Sequence, residues 1–180
     1  MQRVFYALAA AALLVAATAQ AQWRIGADTR LKRFAHDMEY GSAEALGYAA
    51  VDQWQKDPPE WGAGWNGYGK RAASNLGEFV IQESVTEGLA ALMHRPLDYA
   101  RCKCKSTLTR VGWAVRGAFA DRTRDGSYKI AVPRIAGAYA GAFAQTSWRP
   151  DNGNRTETAL VKGTTSLAVG VLINLYHEFK

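Results

Sequence analysis

Glu83 and Glu87 stand four apart in Gln82-Glu83-Ser84-Val85-Thr86-Glu87. On a helix that spacing puts both carboxylates on one face, where they could share a metal ion or divide acid and base roles. Glu78 lies a little more than one turn further back. The plainer reading, a solvated face of an amphipathic helix, is the expected one. No glycosidase, protease or lysozyme signature surrounds the pair.

Cys102 and Cys104 are the only cysteines, set in Arg101-Cys102-Lys103-Cys104-Lys105. Two thiols in an oxidising compartment end up bonded or used, and the three flanking cations favour the thiolate. Three readings follow, in order of expectation: a local structural disulfide, a labile redox pair, and two ligands of a metal site. There is no Cys-x-x-Cys, so thioredoxin-like chemistry is not indicated. His36, His94 and His177 lie far apart and are expected at the surface or at helix ends, with His94 favouring the dipole at the end of its helix. No metal site, phosphate-binding loop or nucleophile elbow is recognisable, and no cofactor is expected.

The third feature is the stretch Pro58–Arg71, where Trp61, Trp65 and Tyr68 alternate with glycines ahead of Lys70 and Arg71. An aromatic-lined loop of this kind can stack on sugars, dock at a membrane interface or simply cover a small core. Core cover is the first expectation, with Trp61, Trp65, Tyr68, Lys70 and Arg71 as the binding residues otherwise.

The elements that carry these residues read as helices. Turn-forming residues cluster at 57–69, 95–105, 124–126 and 149–153, and the stretches between are too long for single strands. The periodicity predicts a short helix over 28–39 with Asp28 at its cap, and a second opening at Ser42. The longest helix is expected over 70–94, stopped by Pro96. Further helices are expected over 106–122, with Leu108, Val111, Val115, Ala118 and Phe119 as its apolar stripe, and over 133–146, opened by Pro133. A last one runs over 157–179. Gly137 and Gly141 offer a bare strip for close helix packing. The expected architecture is therefore all-α, a compact bundle of about five to six helices with Gly/Ala-rich packing helices. The alternative is a small outer-membrane β-barrel, because residues 167–176 alternate large and small as a lipid-facing strand does. Against it, 70–94 holds no turn signal.

Residues 1–21 have the form of a cleavable signal peptide: Arg3, an apolar run from Val4 to Ala17, and Ala19-Gln20-Ala21. The apolar run is shorter than the ~20 residues of a membrane span. Cleavage there would leave residues 22–180 as one helical domain, with formal charge falling from +6 to +5 as Arg3 leaves. The cations are scattered rather than massed. Nucleic acid is not an expected partner outside the cytoplasm. A solvated positive surface with no partner is the first expectation, and an anionic membrane surface or envelope polysaccharide is the natural acidic partner otherwise.

Gly67-Tyr68-Gly69-Lys70-Arg71 follow a Trp-Gly loop and lead into the long helix. Trp148-Arg149-Pro150 precede Asn152-Gly153-Asn154-Arg155, and Asn174-Leu175-Tyr176-His177-Glu178-Phe179 close the chain. In these features, over residues 55–179, the chain resembles a group of exported, uncharacterised bacterial proteins with no assigned activity. The resemblance implies export and brings no site residues. Where the group commonly has an acidic-Pro-Arg-Tyr turn, this chain has Arg95-Pro96-Leu97-Asp98-Tyr99. The expectation is an exported, periplasmic or outer-membrane-associated protein of the bacterial envelope, structural or binding rather than enzymatic. Its rivals are an envelope enzyme, hydrolytic through Glu83 and Glu87 or redox-active through Cys102 and Cys104, and the small barrel.

Overall fold

The computed structural model describes residues 27–123, 126–150 and 153–180, leaving the expected signal peptide outside the described residues. Five α-helices account for most of them: α1 Ala27–Gln55, α2 Gly64–Leu92, α3 Thr107–Phe119, α4 Val132–Gln145 and α5 Arg155–Phe179. A single 3-10 turn, Pro59–Trp61, joins α1 to α2. The helices pack in the order α1, α2, α4, α5, α3, each mainly against the next. This is the expected all-α bundle.

Several details correct the sequence reading. The two helices expected on either side of residue 41 are one. Gly41 does not end the helix; it admits the ring of Phe79, which a Cβ there would overlap. Ser42 caps nothing and donates to the Met38 carbonyl one turn back at 2.6 Å. The long helix starts at Gly64, so much of the expected aromatic loop is its first two turns. It ends at Leu92, and His94 (φ 54°) takes the left-handed position beyond the cap. The amides of His94 and Arg95 close back on the Ala91 and Ala90 carbonyls, the two bonds of a Schellman end. His94 is thus part of the helix stop.

The helix expected over 106–122 gives way at Ala120 to a two-stranded antiparallel hairpin, β1 Ala120–Arg122 and β2 Tyr128–Ile130, paired Asp121 to Lys129 at its centre. The alternating stretch 167–176 lies wholly within α5, which overturns the barrel alternative. Its amide and carbonyl groups are satisfied within the helix, and of its residues only Asn174 is buried.

The largest departure concerns which faces are inside. Apart from Pro58 and Pro133, the buried apolar side chains among the described residues are alanines, including Ala45, Ala49, Ala90, Ala114, Ala118, Ala138, Ala142 and Ala159. Leu108, Val115 and Phe119, expected to be the packing stripe of α3, point outward, while Ala114 and Ala118 point in. On α5 the buried positions are Ala159, Gly163, Asn174 and Glu178, and Leu160, Val161, Leu172, Ile173, Tyr176 and Phe179 are exposed. Small residues let backbones approach closely: a Cβ on Gly137 or Gly141 would collide with the α2 backbone at the Gln82 and Glu78 carbonyls, and one on Gly163 with the ring of Tyr139.

Polar side chains tie the seams. Gln145, almost fully buried, donates to Asn75 at 3.1 Å, and Asn75 donates to Asp52 at 3.2 Å. Trp148 donates to Ser74 at 3.0 Å, and Ser166 donates to Gln82 at 2.7 Å. Arg149 pairs with Asp52 at 3.2 Å and Asp57 at 2.6 Å. Small residues at the contacts let the helices approach closely, and these polar groups cross-link them.

Candidate functional site

Glu83 and Glu87 project from α2 toward α1 and are not on a solvated face. Glu87 is buried, 3.8 Å from the Arg33 guanidinium of α1, and Arg33 also donates to Asp98 at 2.9 Å. Burial pushes the Glu83 carboxyl up to about 7, and the neighbouring charges of Asp37 and Glu87 push in the same direction. Asp37 is itself raised by burial, against the lowering effect of His36 and Arg33. The result is a three-carboxylate cluster on the α1–α2 seam, with Arg33 as counter-charge to Asp37 and Glu87 and Arg134 of α4 as counter-charge to Glu83. Neither of the two cavities described below is lined by Glu83 or Glu87. Among the described residues no group of three His, Cys, Asp or Glu side chains has the arrangement of a metal site.

Cys102 and Cys104 are joined in a disulfide, which fits both a local structural bond and a labile redox pair. They lie in the segment between α2 and α3, which is fastened to the end of α5 by Glu178. The Glu178 carboxylate, almost fully buried, accepts from the Tyr99 hydroxyl at 2.8 Å, the Cys102 amide at 2.9 Å and Arg110 Nε at 3.1 Å. Burial works to raise its pKa, but these donors prevail and hold it below the ordinary carboxylate value. Arg110 also bonds the Glu178 carbonyl and lies 4.3 Å from the centre of the Phe179 ring. Sequence reasoning missed Glu178. Its signal was there, a carboxylate one residue from the end of a helix that carries no other Asp, Glu, Lys or Arg after Lys162. Because the disulfide closes only a three-residue loop, its chain-entropy contribution is small, about 1.5 kcal/mol. Unfolding in denaturant with and without reductant should therefore differ by no more than that. A loss of several kcal/mol would mean that the bond, and not Glu178, holds the segment.

The residues of the expected aromatic loop are parted by the structure. Trp65 is 89% exposed on the first turn of α2, edge-on to Tyr68 at 6.1 Å. Tyr68 donates to the Leu46 carbonyl at 3.2 Å. Trp61 lies in the 3-10 turn with the Arg149 guanidinium 5.7 Å from its ring centre. Lys70 is exposed. Arg71 has no exposed surface and is fully used inside: Nε donates to the Asp57 carbonyl at 2.9 Å, one terminal nitrogen to Gln53 Oε1 at 2.7 Å and the Gly62 carbonyl at 2.9 Å, the other to the Pro58 carbonyl at 2.7 Å. It is a structural knot that shapes the α1–α2 turn, and it offers nothing to a ligand.

Two cavities can be described. One, of about 160 Å³, is lined by Asp57, Gln145, Arg149, Arg155, Thr158 and Lys162 beside the first turns of α5. The other, of about 50 Å³, lies between α3, residues 96–100 and the hairpin. Sequence reasoning named neither, because each is assembled from segments far apart in the chain.

No protein-family model, curated protein or solved structure matches this chain.

Proposed function

We propose that the chain is an exported, non-enzymatic cell-envelope domain that rests against an anionic membrane surface through the outer face of α5. The observation that carries this reading is the inverted burial of α5. Its inner positions are Ala159, Gly163, Asn174 and Glu178, and its outer ones include Val161, Leu172 and Tyr176, each 60% exposed or more. The helix runs 25 residues with a mean hydropathy of 1.4 in its most apolar window, and only 17% of that window is buried. A soluble domain gains nothing by turning such a face to water. Val161, Ala168, Leu172, Tyr176 and Phe179 recur at helical spacing, so they form one strip, and Leu108, Val115 and Phe119 on adjacent α3 extend the exposed apolar area. The net positive charge of the chain favours anionic head groups.

The test is co-sedimentation of residues 22–180 with phosphatidylglycerol–phosphatidylcholine vesicles. Replacing Leu172 and Tyr176 together by Glu removes two exposed apolar side chains and adds two repelled charges, so partitioning should fall by about a hundredfold with the helical spectrum unchanged. Equal partitioning of the double variant would sink this reading. A protein that ignores vesicles and dimerises through the same two positions would assign the strip to a second copy of the chain.

A further inference from the structure

A role at a membrane surface makes no use of Cys102 and Cys104. Their bond joins residues two apart in the chain, so it ties no distant segments together. The backbone around it is fixed by other means. Ahead of the bond, Arg134 donates to the Leu97 carbonyl at 2.6 Å and Trp113 to the Ala100 carbonyl at 2.8 Å. Glu178 accepts from the Tyr99 hydroxyl at 2.8 Å and from the Cys102 amide at 2.9 Å. Beyond the bond, Ser106 takes the cap position of α3, and its carbonyl accepts from the Arg110 amide at 3.1 Å. None of these contacts passes through a sulfur atom, so opening the bond leaves the segment held.

The same segment is open to solvent. Both cysteines are half-buried, while Arg101, Lys103, Lys105 and Ser106 are exposed. No Asp or Glu occurs from residue 99 to residue 120, and the first turn of α3 carries no acidic side chain. Cys104 therefore stands between two lysines, two residues ahead of the cap of a helix whose positive end is uncompensated. Cys102 has a different neighbour, the buried Glu178 carboxylate at its amide, whose charge Arg110 offsets only in part at 3.1 Å. A negative charge released by the bond is thus better stabilised on Cys104 than on Cys102.

A disulfide that is accessible, spare to the fold and set among cations is one that thiols can attack. We propose that the Cys102–Cys104 bond is a thiol–disulfide exchange site that takes two electrons from a dithiol, with Cys104 leaving as a thiolate stabilised by Lys103 and Lys105. In the first step one thiolate of the dithiol attacks Cys102 Sγ. The Cys102–Cys104 bond breaks, and its electron pair leaves on Cys104. In the second step the other sulfur of the dithiol, as thiolate, attacks its partner sulfur in the mixed disulfide and releases Cys102. The dithiol is oxidised to a disulfide, and its two protons pass through solvent to Cys102 and Cys104. The exchange is stoichiometric, one dithiol for each chain. It is measured in solution, so it stands or fails apart from the membrane test.

The experiment treats native residues 22–180 with dithiothreitol at neutral pH, quenches with N-ethylmaleimide and follows the intact mass against time. The rate of reduction is expected to rise in proportion to dithiothreitol, and the reduced product to keep the helical spectrum. It should change less than about twofold in about 1 M urea, whereas a bond reached only through unfolding would be reduced about tenfold faster there. Replacing Lys103 and Lys105 together by Glu changes two exposed side chains. That variant should be reduced about tenfold more slowly, because its leaving thiolate is poorer and the attacking one is repelled. With glutathione, a monothiol, the trapped adduct should map to Cys102. Four results would overturn the proposal: a bond that resists dithiothreitol in the folded protein, a tenfold acceleration by urea, equal rates in the parent and the charge-reversed variant, or an adduct on Cys104.

Discussion

Arg71→Ala should lower the stability of the domain by about 3–5 kcal/mol, because several buried neutral acceptors lose a charged donor at once. That corresponds to a fall of roughly 10 °C or more in thermal midpoint for a chain of this size. The single guanidinium satisfies the carbonyls of Asp57, Pro58 and Gly62 together with Gln53 Oε1. Truncation takes the side-chain donor from the Gly62 carbonyl beside fully buried Pro58, while the Pro58 carbonyl keeps only the Trp61 amide at 3.3 Å and the Asp57 carbonyl only Arg149 at 3.2 Å. Arg71→Lys restores charge without the fork, and a lysine has three donors radiating from one point. It should recover less than half of the loss. The same crowding explains Gly67: a Cβ there would strike the Gly62 carbonyl and the Arg71 guanidinium. Scanning calorimetry of the two Arg71 variants checks the claim. An alanine variant within about 1 kcal/mol of the parent would show that the turn is held by something else.

Arg71 also illustrates what the sequence could and could not disclose. Its position, at the end of a Gly- and Trp-rich stretch and next to Lys70, is the same whether the guanidinium faces a ligand or four backbone and side-chain oxygens. Only the path of residues 53–62 decides, and that path depends on contacts distant in sequence. Helix existence was legible, because Pro, Gly and Asn punctuation delimits it. Pro133 in the first turn of α4 and Asn154 capping α5 through the Thr156 and Glu157 amides are signals of that kind. Helix facing was not legible. The usual rule sends the large apolar stripe inward. Here α3 buries Ala114 and Ala118 while α5 buries Ala159 and Gly163, and the leucines and aromatics are left outside. The rule assumes that the large apolar stripe is the packing face, and helices that meet through small residues leave that stripe outside. The hairpin was missed for a simpler reason, since two strands of three residues carry too little alternation to register.

The sharpest pH-dependent consequence comes from Glu83. Its carboxyl is raised from 4.5 to about 7 in the folded protein by burial and by the charges of Asp37 and Glu87. The folded state therefore holds a proton that the unfolded chain releases between these values. By linkage, the favourable contribution is complete below pH ~4.5, fades as pH rises and is gone above pH ~7. In the alkaline range Glu83 is a charge forced to ionise among like charges on a tight seam. Glu83→Gln keeps the shape and removes that burden. The variant should match the parent near pH 4 and exceed it by about 2 kcal/mol at pH 8, a fraction of the full linkage because the side chain is only partly buried. The thermal midpoint should rise by about 4–8 °C at pH 8. A catalytic carboxylate behaves alike in this assay, so the same variant must also be tested for its biological role. Retained role with raised alkaline stability identifies Glu83 as an architectural acid. Lost role in an equally folded variant would restore the hydrolytic reading of the α2 pair. A parent and variant with parallel pH profiles would mean that Glu83 is solvated and that the α1–α2 seam is looser than the packing of Gly41 on Phe79 implies.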